Sequence, residues 1–175
     1  MLIRLARTSD LPQLMTLVRH VIPLMQAEGI YQWDETYPTE KDFAADIKLG
    51  QLWIADIDGT LAGIVAITQD QYPEYVQAGL DISEQAMVAH RLAVDPAYRG
   101  LGVAFALMQQ VETVARQKGI AVLRVDTNTQ NPATQRLLPK LGYNFAGEMD
   151  LSFRPGLRFF CYEKRLDLRQ ESVPA

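Results

Sequence analysis

Cysteine is nearly absent from this chain. Cys161 stands alone in 175 residues, so no internal disulfide can form and a reducing compartment is permitted. Histidine is almost as scarce. His20 and His90, with one isolated cysteine, cannot supply the three or four spaced ligands of a zinc site. Basic residues are outnumbered, 17 Lys and Arg against 21 Asp and Glu, for a formal charge of −4. That balance lacks the footprint of a nucleic-acid binder or a membrane-surface protein. No apolar run approaches the ~20 residues of a membrane span. The opening segment, interrupted by Arg4, Arg7 and Asp10, lacks the continuous apolar core of a signal peptide. A soluble cytoplasmic protein is the default expectation. Also missing are a G-x-x-x-x-G-K-[ST] loop and a G-x-S-x-G elbow, so nucleotide hydrolysis and serine-hydrolase chemistry lack support.

What is present is ordinary for one soluble domain: 48% hydrophobic and 22% charged residues, with enough chain to bury a core. No linker, repeat or low-complexity tract divides it. We expect one domain over residues 1–166 and a polar, frayed tail over 167–175.

Leu2 to Ala6 reads as a short strand. A helix follows, capped by Thr8 or Ser9, with Leu11, Leu14, Val18, Val21 and Met25 on one face. Pro23 should kink or divide it, and Gly29 marks its end. Thr39 caps a second helix, with Asp42 three residues on as an approximate capping box. Two strands, 52–57 and 60–68, flank Asp58-Gly59, the strongest hairpin signal in the chain. A polar loop over 69–83 precedes a strand over 86–94. A helix over 102–118, a strand over 121–125, a short helix over 132–141 and strands over 143–149 and 158–166 complete the order β-α-α-β-β-β-α-β-α-β-β. An antiparallel meander running into βα units makes a mixed α/β (α+β) domain rather than a fully parallel doubly wound sheet.

The chemistry lies in one segment, His90-Arg91-Leu92-Ala93-Val94-Asp95-Pro96-Ala97-Tyr98-Arg99-Gly100-Leu101-Gly102-Val103-Ala104. A strand enters a glycine-rich loop that opens a long helix. Such a loop gathers backbone N–H groups at the positive end of a helix, where an anion is stabilised. Gly100 and Gly102 lack a Cβ, so a phosphate can approach the backbone, and Arg99 adds a full charge. A diphosphate site is one reading; a tight strand–helix turn with glycines for steric reasons is the other. A dinucleotide-binding turn fits poorly, although Asp126 could serve as its ribose partner. Phe105 stands where the third glycine belongs, and Asp95 to Tyr98 separate the loop from its strand.

Arg99-Gly100-Leu101-Gly102-Val103-Ala104 matches the R/Q-x-x-G-x-G/A signature of the GNAT superfamily of acyl-CoA-dependent N-acyltransferases. The resemblance extends to Leu92-Ala93-Val94-Asp95-Pro96, to Asn131-Pro132-Ala133 and Lys140-Leu141-Gly142-Tyr143, and to the opening Ile3-Arg4-Leu5-Ala6 with Asp10-Leu11. It covers nearly the whole chain. It implies a single mixed, mostly antiparallel central sheet with a splayed parallel strand pair, flanked by helices. It also implies acetyl-CoA as donor: backbone groups of Leu92 and Val94 would meet the pantetheine, Arg99 to Ala104 would hold the diphosphate, and Asn131 would lie near the pantetheine or sulfur. One departure matters. Many relatives carry a tyrosine in the second short helix that protonates the departing thiolate; Leu138 occupies that position and cannot donate a proton. Pro139, late in the same helix, is expected to distort it. Tyr143 falls at an aromatic strand-start position and reads as core.

In the mechanism this resemblance implies, an amine attacks the thioester directly. His90 is the candidate general base, since an imidazole titrates near neutrality. On an alternating strand it would share a face with Leu92 and Val94. A hydrogen-bonded structural histidine is the competing reading, and Glu84 and Asp126 are weaker candidates. Trp33 and Tyr37, with Tyr31, could wall the acceptor site, and Asp34 and Glu35 could attract a cationic amine. Tyr72, Glu74 and Tyr75 could form the opposite wall. The expected function is N-acetyl transfer to a small-molecule or peptide amine. A non-catalytic acyl-CoA-binding regulatory module of the same fold is the alternative. Edge strands of such a sheet could pair two copies into a homodimer.

Overall fold

A computed structural model describes residues 1–170. Eleven main elements follow in chain order: β1 (Leu2–Leu5), α1 (Leu11–Ala27), α2 (Glu40–Lys48), β2 (Leu52–Ile57), β3 (Thr60–Thr68), β4 (Ala86–Val94), α3 (Val103–Lys118), β5 (Val122–Asn128), α4 (Pro132–Lys140), β6 (Asn144–Asp150) and β7 (Arg158–Arg165). The strands form a seven-stranded sheet in the order β1-β2-β3-β4-β5-β7-β6. Neighbours are antiparallel except for β4 and β5, which run parallel. The mixed sheet with one parallel pair is as expected.

Local chemistry accounts for most boundaries. Asp58 and Gly59 take φ of 53° and 82°, the paired positive values that a two-residue hairpin needs to match strand twist. The Thr39 side chain accepts from the Asp42 N–H, and the Asp42 carboxylate accepts from the Thr39 N–H at 2.6 Å, a complete capping box. Pro23 does not divide α1, which runs unbroken from Leu11 to Ala27. Both Pro23 and Arg19, whose carbonyl loses its helical donor, are exposed, so water can satisfy the freed group. Pro139 likewise sits inside α4 without ending it.

The sheet is covered on both faces. Leu14, Val18 and Val21 of α1 pack with Trp33, Phe43, Ile54, Ile64 and Ala66. On the other face, Val103, Leu107 and Val111 of α3 pack with Val65, Met87, Ala89, Leu123 and Leu138. The segment expected to be a polar loop is partly core: it forms a 3-10 turn over Pro73–Ala78, and Tyr75 is fully buried against Val88, Phe159 and Cys161. Of the tail, Leu168–Gln170 make a short 3-10 turn; residues 171–175 lie outside the described residues.

Candidate active site

β4 and β5 pair only from Ala86↔Val122 to Ala89↔Val125. Beyond that point β5 continues along β7, and the edge of β4 that faced it has no strand partner. The divergence coincides with a β-bulge. The β3–β4 register shifts between Ile64 and Ala66, and Arg91 takes φ of 54°. An unpaired strand edge displays N–H and C=O groups for a ligand backbone, and Leu92 and Val94 lie on that edge.

The bulge also reverses the side-chain alternation. Leu92 and Val94 pack with Met87 and Ala89 on the α3 face. His90 pairs with Ala66, which packs with Ala93 on the opposite, α1–α2 face. His90 therefore does not share a face with Leu92 and Val94, as strict alternation predicted.

A non-glycine residue in the left-handed region costs on the order of 1–3 kcal/mol. Arg91 is held there by a bidentate pair with Asp46, Nε to Oδ2 at 2.8 Å and Nη2 to Oδ1 at 2.7 Å, and Nη1 donates to the Tyr37 hydroxyl at 3.0 Å. Asp46 is buried and is also bonded by Gln51. The planar guanidinium thereby ties α2 and the α1–α2 connection to the bulge.

At the end of β4, Asp95 Oδ1 accepts from the Ala97 N–H at 2.9 Å, setting a short turn before the glycine loop. Gly100 and Gly102 take φ of 80° and 76°. A Cβ at either would meet nothing within 4 Å, so the glycines serve backbone conformation first. Ala106 N–H donates to Gly102 O, leaving the N–H groups of Val103, Ala104 and Phe105 without helical acceptors. Arg99 is exposed, its nearest carboxylate being Glu28 at 3.8 Å. Leu101 is also exposed, whereas Val103 is core.

A cavity of about 60 Å³ opens at the fork, lined by Trp33, Tyr37, His90, Leu92, Asp126 and Asn131 among others. It gathers sequence candidates from four separate segments. Asn131 caps α4, its side chain accepting from the Thr134 N–H at 3.3 Å. His90 Nε2 lies 3.0 Å from the Asp70 carbonyl. A carbonyl only accepts, so Nε2 carries the proton and Nδ1 holds the basic lone pair. Nδ1 makes no hydrogen bond among the described residues. Burial lowers the His90 pKa, opposed by the charge of Asp126. The Asp126 carboxyl is itself raised by burial, and its Oδ1 accepts from the Tyr75 hydroxyl at 2.7 Å. Tyr72 packs on the imidazole with ring centroids 4.9 Å apart.

The acceptor-side candidates divide. Trp33 is buried and Tyr37 half-buried in the cavity wall, whereas Tyr31 is exposed. Asp34 and Glu35 do not form an open cation site. Asp34 accepts from the Thr36 hydroxyl and pairs with Arg154 at 3.0 Å, which hold its carboxylate at about 2; Glu35 is exposed outside the cavity. Glu84 is also remote, bonded through both oxygens to Arg165. Leu138 is fully buried and Tyr143 is core. Burial pushes the Cys161 thiol up to about 12, which keeps it from acting as a thiolate nucleophile near neutrality.

Sequence reasoning missed Arg91, Phe153 and Arg154 in the cavity wall. Arg91 carried a signal, a charge inside a buried apolar strand. Phe153 and Arg154 carried none, because only the β6–β7 connection brings them over the fork. Phe153 contacts both Tyr37 and Tyr72, with ring centroids 5.7 and 5.5 Å apart.

Comparison with known proteins adds a second line of support. Residues 17–143 match the family described as acetyltransferase (GNAT) family. The chain is 27% identical over 129 residues to N-acetylaspartate synthetase of Rattus norvegicus, covering 68% of this chain and 40% of that protein. The chain thus spans about two fifths of the length of the curated relatives it matches. Among solved structures, a GNAT-family acetyltransferase of Streptococcus agalactiae superposes with a TM-score of 0.82 at 28% identity, covering 95% of each chain. A Salmonella typhimurium protein solved with its cofactor acetyl-CoA shares the fold, with a TM-score of 0.70 at 19% identity over 100% of this chain and 98% of the other. Among the described residues no helix is long and apolar enough to cross a membrane.

Proposed function

From the premise that the chain belongs to the acetyltransferase (GNAT) family, we propose that residues 1–166 form an N-acetyltransferase domain that moves the acetyl group of acetyl-CoA to a primary amine. The observation that carries this reading is the fork: an unpartnered β4 edge, the glycine loop with free helix N–H groups that follows it, and the cavity lined by His90 beside it. These features fit the cofactor. The edge at Leu92 and Val94 would pair with an extended amide chain. Arg99, Gly100, Leu101, Gly102, Val103 and Ala104 would surround a diphosphate, and Asn131 would border the arm near its sulfur.

Acetyl-CoA supplies an activated thioester whose thiolate is a fair leaving group without an acid. The chain's own residues must supply the rest. His90 Nδ1 takes the proton from the ammonium, because only the free amine has a lone pair for the new C–N bond. Asp126, held by Tyr75, stabilises the imidazolium that results. Donors on the β4 edge polarise the thioester carbonyl. Attack is direct, in a ternary complex, since the buried Cys161 thiol offers no acyl-enzyme route.

The alternative, a non-catalytic acyl-CoA-binding module, draws on the buried Leu138 where relatives carry a tyrosine. Turnover with any amine separates the two. A cytoplasmic setting belongs to this proposal, supported by the single cysteine, as does pairing of two copies through an edge strand, β1 or β6.

Calorimetric titration with acetyl-CoA, with NAD and ATP as controls, is the test. We expect selective acetyl-CoA binding, weakened about tenfold or more (~1.4 kcal/mol) by Arg99→Glu. A folded protein that binds no acetyl-CoA would overturn the proposal.

A further inference from the structure

We propose that the acceptor is a small primary amine carrying a carboxylate, and that Arg154 receives that carboxylate. The inference rests on the acetyltransferase reading above and concerns the same cavity.

The cavity wall holds two chemically unlike sets of groups. One presents proton acceptors: His90 Nδ1, and Asp126 with one oxygen held by Tyr75. This set suits an ammonium group. The other presents donors. Arg154 lies in the wall with its side chain only 11% exposed. Its Nη2 donates to the Tyr31 carbonyl at 2.8 Å and pairs with Asp34. Its Nε is buried with no acceptor, one of two such side-chain atoms among the described residues. A buried charged donor left unpaired is costly, and a guanidinium has five N–H groups, more than one carboxylate can satisfy. Gln32 is a further donor in the wall. Its Oε1 accepts from the Asn128 N–H at 3.2 Å, and its amide NH2 has no partner among the described residues. A carboxylate oxygen would give Arg154 Nε the charge-assisted acceptor that folding leaves out.

The same accounting excludes a polycation. Asp34 and Asp46, the carboxylates nearest the two wall arginines, are already engaged by Arg154 and Arg91. A second ammonium would find no free anion there and would face two guanidinium groups. The cavity's modest size and its aromatic wall of Trp33, Tyr37, Tyr72 and Phe153 favour a compact molecule.

The test is steady-state CoA release by the full chain at saturating acetyl-CoA, with amines in matched pairs: β-alanine against its amide, and aspartate against its diamide, with spermidine beside them. An aspartyl tripeptide amide separates a free amino acid from a peptide N-terminus. We expect kcat/KM to favour each acid over its amide at least tenfold, chiefly through KM. In Arg154→Gln that ratio should collapse toward unity, with Arg154→Lys intermediate. Comparing ratios between proteins cancels differences in amine basicity. The inference fails if wild type turns over amides, spermidine or the peptide as well as the acids, if it turns over none of the amines, or if Arg154→Gln leaves the ratio unchanged. If Arg154→Gln does not fold, the wild-type ratio and Arg154→Lys still decide. Loss of acetyl-CoA binding by wild type would instead overturn the acetyltransferase reading.

Discussion

Replacing Gly63 with alanine would test how the sheet seats the proposed cofactor loop. Gly63 lies on β3, beneath the first turn of α3. A Cβ there would sit 2.8 Å from Val103 Cγ1, 2.9 Å from Ala93 O and 3.2 Å from Leu107 Cδ1. Favourable carbon contacts begin near ~3.5 Å. The Ala93 carbonyl belongs to β4, which is paired to β3 at this point, so it has little freedom to retreat. Val103 is β-branched and stiff at χ1 within a helix. The first turn of α3 must therefore lift by several tenths of an ångström. Overpacking of this kind costs about 1–3 kcal/mol. At ~3 °C per kcal/mol for a domain of this size, a cost of 2 kcal/mol lowers Tm by about 6 °C. The lifted turn carries the N–H groups of Val103 and Ala104, so acetyl-CoA affinity should fall about three- to tenfold. Thermal melts and calorimetric titration read the two effects. Val103→Ala removes one clashing atom, so Gly63→Ala should cost at least ~0.5 kcal/mol less in that background. Gly63 does not have a positive φ, and a tolerated alanine would stabilise by restricting the unfolded chain. An unchanged or raised Tm, or strict additivity with Val103→Ala, would refute the reasoning.

Burial lowers the His90 pKa below its ordinary value near 6.5, so the neutral base should persist into mildly acid solution. The acid limb of kcat/KM should lie below about pH 6.5, and His90→Ala should abolish that limb and cost about 10²–10⁴ in rate; an unchanged profile removes His90 from the chemistry. The same shift acts on stability: the unfolded state binds the proton first, so the His90 contribution is full above about 6.5 and is lost as pH falls through the folded pKa. Melts of wild type and His90→Gln across that window should converge on acidification. Leu138→Tyr would place the tyrosine that the family resemblance implies in a fully buried position. It should lower stability by roughly 1–3 kcal/mol without raising kcat; a faster enzyme of unchanged Tm would show that an acid at this position is needed after all.

Much of the fold was legible because its signals are local. The Thr39–Asp42 capping box, the Asp58-Gly59 turn and the helical spacing of Leu14, Val18 and Val21 all act within one or two turns of chain. The loop from Arg99 to Ala104 was legible for the same reason: its conformation is set by Gly100 and Gly102 and by the helix that follows. The proposed cofactor half of the site was therefore readable as a contiguous stretch.

The proposed acceptor half was legible only in single residues, Trp33, Tyr37 and His90, and not in what holds them. Tyr75 and Asp126 meet across 51 positions, Arg91 and Asp46 across 45, and Arg154 reaches Tyr31 across 123. None of these residues points to its partner from its own neighbourhood, not even Arg91, whose charge stands out in an apolar strand. By itself the sequence determined the elements, their order and the glycine loop, since backbone dihedrals, caps and hydrophobic period are properties of short segments. Only the tertiary structure decided that β7 inserts between β5 and β6, and that a bulge at Arg91 turns His90 to the face opposite Leu92. It alone brought a buried arginine from a distant loop to the same cavity. Strand register and side-chain pairing are settled by which surfaces meet, and a segment read in isolation does not contain its partner.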